Sequence, residues 1–100
     1  MSYDRFLELF NNDDKGICVD VRTPQEYDIS HIQGAINLNY LSDNLADLLE
    51  SLDPSKHYYI YCRTGRRSLR VCVLLTNMQF KNIYNLDDGI AKYETMPLPG

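Results

Sequence analysis

Three cysteines, Cys18, Cys62 and Cys72, are an odd number with no paired spacing, which excludes a disulfide framework. No Cys-x-x-Cys or mixed Cys/His set offers a zinc site, so no metal or other cofactor is expected and each cysteine is read as a free thiol. Long apolar runs are missing too. The longest, Val71 to Leu75, is far too short for a bilayer. The opening Met1-Ser2-Tyr3-Asp4-Arg5 lacks the basic and then apolar layout of a secretory signal, so a cytoplasmic location is expected. Basic charge is scarce: ten Lys and Arg stand against fourteen Asp and Glu, a formal net charge of −4. That balance argues against nucleic acid or an anionic membrane as partner, since both need a basic face. Repeats and low-complexity stretches are absent. The 100 residues are room for one core, so a single domain over 1–100 is expected.

The basic charge that is present is concentrated. Arg63, Arg66, Arg67 and Arg70 fall within eight residues. Cations at the start of a helix oppose its macrodipole, so stability alone does not account for them. An acidic chain that gathers its arginines in one short stretch is expected to bind a small anion there.

Around this cluster the chain alternates between strand-like and helix-like segments. Tyr3, Phe6, Leu7 and Phe10 follow helical spacing. Ile17 to Val21 is short, β-branched and apolar, as a buried strand is. Thr23 suits a helix N-cap, Pro24 the first helical position, and Glu26 the closing residue of a capping box. Ala35 to Leu38 reads as a second strand. Leu41, Leu45, Leu48, Leu49 and Leu52 form the stripe of a helix that Ser42 is placed to cap. His57 to Tyr61 is an aromatic and β-branched strand running straight into Cys62. Ser68 to Met78, apolar almost all round between Val71 and Leu75, predicts a helix buried in the core. Lys81 to Leu86 reads as a last strand, Gly89 to Glu94 as a last short helix, and Pro97 and Pro99 mark a frayed tail. Strands alternating with helices imply an α/β fold with a parallel sheet covered on both faces. Its ligand site then lies at the carboxyl ends of the strands, where Asp20-Val21-Arg22 and Cys62 both fall.

The chemistry concentrates in Tyr61-Cys62-Arg63-Thr64-Gly65-Arg66-Arg67-Ser68. A thiol stands where a strand stops and a helix is about to start, with a glycine in the turn. Backbone N–H groups in such a turn form an anion-binding nest, and the unpaired N–H groups of the helix add partial positive charge. Together with the arginines they lower the cysteine pKa and hold a nucleophilic thiolate. Cys18, in a strand, and Cys72, inside an apolar helix, read as core residues. His31 reads as a turn-fixing side chain, His57 as a surface residue, and the eight tyrosines as packing.

This loop resembles that of the rhodanese family, Cys-x-x-Gly-x-Arg-Ser, with matches at Cys62, Gly65, Arg67 and Ser68. Two further segments agree in order: Asp20 to Tyr27 with His31 to Asn37, and Leu86-Asp87-Asp88-Gly89-Ile90. The resemblance implies a three-layer α/β/α fold around a four- to five-stranded parallel sheet, four strands being expected and a fifth edge strand left open. It implies a sulfurtransferase in which Cys62 takes sulfane sulfur from thiosulfate or a persulfide and passes it to cyanide, a thiol or a protein acceptor. Cys62 would be the nucleophile, and the backbone from Arg63 to Ser68, including Thr64, the cradle. Arg63 and Arg66 would meet an anionic donor at the rim. Asp20 and Arg22 would brace the loop, and Arg67 would share bracing with substrate binding.

Two other readings stay open. A cysteine phosphatase or arsenate reductase also sets a thiol in an anion cradle, but its arginine follows the cysteine after five residues. Here that position is Ser68, and the arginine comes one residue early. The other is a sulfur-carrier or sensing module that hands a persulfide to a protein partner.

Overall fold

The computed structural model describes residues 1–91. Four helices and four strands alternate: α1 (Tyr3–Asn11), β1 (Gly16–Asp20), α2 (Pro24–Ile29), β2 (Ile36–Asn37), α3 (Leu45–Glu50), β3 (His57–Tyr61), α4 (Arg66–Asn77) and β4 (Ile83–Asn85). All neighbouring strands pair in parallel, in the order β2-β1-β3-β4. The two longest strands therefore lie side by side at the centre, with Cys18 opposite Tyr59 and Asp20 opposite Tyr61.

Strand alternation sorts the core into two layers. Val19, Tyr58 and Ile60 point to the side covered by Leu49 of α3 and by Val71, Cys72 and Leu75 of α4. Cys18, Tyr59 and Tyr61 point to the other side, against Phe6 of α1, Tyr27 of α2, and Ile32. This is the three-layer arrangement expected from the sequence. The Phe6 ring meets Tyr59 edge-on at 5.7 Å, and Tyr59 stacks on Tyr84 at 4.8 Å.

Local signals act where they were read. Thr23 and Glu26 close a reciprocal capping box with Pro24 in the first turn of α2. Three expectations are corrected. α3 begins at Leu45, not after Ser42, because the Ser42 hydroxyl bonds the Asn44 side-chain oxygen and gives no backbone cap. Residues 39–42 instead form a turn closed by Ser42 N–H on the Asn39 carbonyl, which leaves Leu41 exposed. α4 starts two residues earlier than expected and is buried on one side only, with Leu69, Val73 and Leu74 turned outward. His57 is half-buried rather than a plain surface residue, its Nδ1 paired with Asp13 Oδ2 at 2.8 Å.

The strands expected at 35–38 and 81–86 are shorter, pairing only at Ile36–Asn37 and Ile83–Asn85. Most of the helix expected from Gly89 to Glu94, and the tail beyond it, lie outside the described residues. No helix among the described residues is long and apolar enough to cross a membrane.

Candidate active site

β1 and β3 end level with each other. Val21 N–H donates to the Tyr61 carbonyl at 3.0 Å, and Cys62 follows at once. The chain then turns through Arg63 and Thr64 to Gly65, the N-cap of α4, at φ +93°. Only a glycine fits there. A Cβ would stand 1.9 Å from the Asp87 carbonyl oxygen, and the positive φ disfavours any side chain.

The turn wraps the sulfur. Gly65 N–H donates to Cys62 Sγ at 3.1 Å and Ser68 N–H at 3.4 Å, with the Ser68 hydroxyl also 3.4 Å away. Burial of the Cys62 side chain alone would push its thiol pKa up. The Ser68 hydroxyl and the N–H groups of Ser68, Thr64 and Gly65 outweigh burial and hold it below the ordinary value. The other two thiols lack such donors, and burial raises both, Cys72 to about 12. Of the three sulfurs, Cys62 alone has its pKa shifted toward the thiolate form. Ser68 adds a local choice. Its hydroxyl also lies 3.1 Å from the Gly65 carbonyl, and its single proton can serve that oxygen or the sulfur.

The arginines divide. Arg63, Thr64 and Arg66 are exposed at the rim of the loop. Arg67 turns away to α2, where its guanidinium forks onto Glu26 at 3.0 and 3.2 Å. That arrangement makes Arg67 a tie between loop and helix. The pairing overcomes partial burial and depresses the Glu26 pKa to about 2.

Beneath the loop lies a buried ion pair. Arg22 Nη2 meets Asp20 Oδ2 at 2.7 Å, with both side chains out of water. The rest of the pair is satisfied as well: Arg22 Nη2 donates to the Ser30 carbonyl at 2.6 Å, and the Tyr61 hydroxyl donates to Asp20 Oδ2 at 2.9 Å. The Tyr61 oxygen in turn accepts from Ile32 N–H at 3.0 Å. Asp20 and Arg22 therefore fix the ends of β1 and β3 relative to each other. Neither is placed on the sulfur by any hydrogen bond described. His31, bonded through Nδ1 to the Tyr27 carbonyl and stacked on the Tyr27 ring at 3.8 Å, holds the turn after α2.

Three contributors escaped sequence reasoning. Glu26 reads locally as the end of a capping box, and its second duty toward Arg67, 41 positions on, leaves no local trace. Tyr61 reads as packing until its hydroxyl is seen joining Asp20 to Ile32. The turn at 86–89 is the third: Ile90 N–H donates to the Cys62 carbonyl at 3.1 Å and Ala91 N–H to the Arg63 carbonyl at 2.8 Å. The Leu86-Asp87-Asp88-Gly89 segment was the available signal.

The family of Rhodanese-like domains matches this chain over residues 2–96. The chain belongs to that family. Among similar proteins is the Rhodanese-like/PpiC domain-containing protein 12, chloroplastic, of Arabidopsis thaliana, 32% identical over 82 residues. That match takes in 80% of this chain and 27% of the plant protein. The thiosulfate sulfurtransferase GlpE of Pseudomonas entomophila is 32% identical over 79 residues, 79% of this chain and 71% of that one. This rhodanese-like chain thus spans about a quarter of the plant relative's length and most of the bacterial one's. In structure it is similar to a Staphylococcus saprophyticus protein, with a TM-score of 0.80 at 26% identity, covering 100% of this chain and 97% of that one.

Proposed function

We propose that this rhodanese-like chain is a sulfurtransferase that carries sulfane sulfur as a persulfide on Cys62. The observation that carries the reading is the set of donors around one sulfur, Gly65 N–H, Ser68 N–H and the Ser68 hydroxyl. Membership of the family supports it, as does similarity to proteins named sulfurtransferase. The Cys62 thiolate attacks the outer sulfur of thiosulfate; a new S–S bond forms, the old one breaks, and sulfite leaves with the bonding pair. The loop N–H groups then hold the persulfide anion as they held the thiolate. Cyanide or a thiolate attacks the outer sulfur, and Cys62 departs as a thiolate. A low thiol pKa makes a general base unnecessary. Exposed Arg63 and Arg66 draw the anionic donor to the rim, while Thr64 and Gly65 complete the cradle.

The phosphatase reading is disfavoured by Arg67, whose guanidinium is engaged by Glu26 rather than turned over the sulfur. The carrier reading differs only in the acceptor.

The test is intact mass. The reduced protein mixed with thiosulfate is expected to gain one sulfur atom and to lose it to cyanide as thiocyanate, while Cys62→Ser gains none. No gain from thiosulfate or from a small-molecule persulfide would reject the proposal. Hydrolysis of an aryl phosphate, abolished in Cys62→Ser, would put the phosphatase in its place.

A further inference from the structure

α4 keeps an apolar face in water. Leu69, Val73 and Leu74 are 54%, 52% and 42% exposed. With Tyr40 and Arg70 they line an open groove of about 390 Å³. Three observations bear on what covers it. The first is position. Leu69 N–H donates to the Gly65 carbonyl at 3.0 Å, and Tyr40 N–H donates to the Val21 carbonyl at 3.1 Å. The groove therefore begins where the Cys62 loop ends and follows α4 away from it for about 7–8 Å, from Leu69 to Leu74.

The second is charge. Arg63, Arg66 and Arg70 are exposed along the loop and the head of the groove, on a chain whose net charge is −4. The Arg70 guanidinium bonds the Tyr40 hydroxyl at 3.3 Å, which places a cation at the groove's own wall. An acidic occupant complements this border, and a basic one is repelled. A second copy in a two-fold contact would bring its own arginines against these, so self-association is disfavoured. The third is reach. Cys62 is 0% exposed, so a sulfur acceptor must extend its nucleophile over the loop on a narrow segment and be held elsewhere.

The geometry points to the groove between Tyr40 and α4 as the docking surface for a protein acceptor: an acidic and apolar segment that carries a cysteine thiol to the Cys62 loop. This rests on the persulfide reading of Cys62. The acceptor thiolate attacks the outer sulfur, forming the new S–S bond. The bond to Cys62 breaks, and Cys62 keeps the electron pair as a thiolate. No net oxidation occurs. Apolar contacts in the groove supply residence time, and the arginines supply orientation and on-rate.

Three synthetic cysteine peptides test this: one flanked by Leu with Asp and Glu, one by Leu with Lys, and one by Ser with Asp and Glu. Binding is measured on Cys62→Ser protein, and sulfur uptake on protein loaded with thiosulfate. The acidic and apolar peptide is expected to bind at least about tenfold tighter than either counterpart and to take sulfur correspondingly faster. Val73→Glu, on the exposed face, should remove that advantage while cyanide still discharges the loaded variant at the parental rate. Leu69→Ser serves in its place if circular dichroism finds Val73→Glu unfolded. Equal binding of the three peptides, or an advantage that survives both substitutions, would overturn the docking surface. A concentration-dependent dimer in sedimentation, lost in Val73→Glu, would overturn it too and assign the face to a second copy. Intact peptide preference on a parent protein that never loads sulfur would instead sink the persulfide reading, and the acceptor role with it.

Discussion

Gly89 lies directly on the backbone of Arg63: a Cβ at position 89 would stand 2.2 Å from the Arg63 carbonyl oxygen and 2.6 Å from Thr64 N. Gly65 makes the reverse approach to Asp87 from within the loop. The two turns interlock, each admitting the other only because it lacks a side chain. Gly89 also sits at φ +67°, where any side chain is strained. Gly89→Ala is therefore expected to displace the loop, lowering stability by about 1–3 kcal/mol and slowing alkylation of Cys62. Gly34→Ala is the control. Its φ is +88°, but the nearest atom to its Cβ is a Phe10 ring carbon at 3.6 Å, so it should cost stability and leave Cys62 reactivity unchanged. Thermal melts and iodoacetamide kinetics on both variants separate the effects.

Ser68→Ala removes the hydroxyl that helps hold the Cys62 thiol pKa down. The alkylation profile against pH is expected to shift upward, and the rate at neutral pH to fall by about tenfold, the worth of one hydrogen bond to a charged group. Because the folded-state pKa of Cys62 is depressed, ionisation of this group favours the fold at high pH, and the benefit disappears as pH drops through the folded value. Ser68→Ala should shrink that alkaline benefit. An unchanged profile would remove Ser68 from the cradle.

Glu26 titrates at about 2 in the fold, below its ordinary 4.5. Its contribution is complete above pH 4.5 and is lost as pH falls toward 2, because the unfolded chain takes up the proton first. Glu26→Gln should flatten the stability profile across that window. At neutral pH it should cost about 1 kcal/mol, since the pair is partly exposed. Urea melts at several pH values read both effects. If the acid limb keeps its slope in the variant, another carboxylate governs it.

Asp20→Asn leaves the Arg22 guanidinium buried without a counter-charge, and a loss of about 3–5 kcal/mol is expected. Tyr61→Phe strands Ile32 N–H and removes one of the donors to Asp20 Oδ2, which keeps Arg22, at a cost of about 1–3 kcal/mol. Both variants should load less sulfur in proportion to the fraction unfolded. A folded Asp20→Asn that has lost sulfur loading would instead give the pair a direct part in the chemistry.

What the sequence discloses follows from how local each cause is. The strand His57–Tyr61 and the Thr23–Glu26 box are legible because a handful of adjacent residues determine them. Cys62, Gly65 and Ser68 are legible as one site because a single turn brings them together. The start of α3 is not: Ser42 is a good cap by type, and only its bond to Asn44 shows it spent elsewhere. The outer face of α4 is hidden for another reason. Val71 to Leu75 is apolar in every direction, and composition cannot say which side the sheet takes. Glu26 with Arg67, and Gly89 with Arg63, are relations across dozens of positions. They exist only once the sheet has formed.

The last of these contacts sets a timetable for the chain. Cys62 and Arg63 receive their backbone partners from Ile90 and Ala91, which follow β4. In chain order the cysteine and its Gly65 and Ser68 donors precede that segment. Until that segment is in place the Cys62 and Arg63 carbonyls lack these partners, and the turn that holds Gly65 and Ser68 against the sulfur is unbraced on that side. The surroundings of the sulfur are therefore complete only when the chain after β4 has folded back onto the loop.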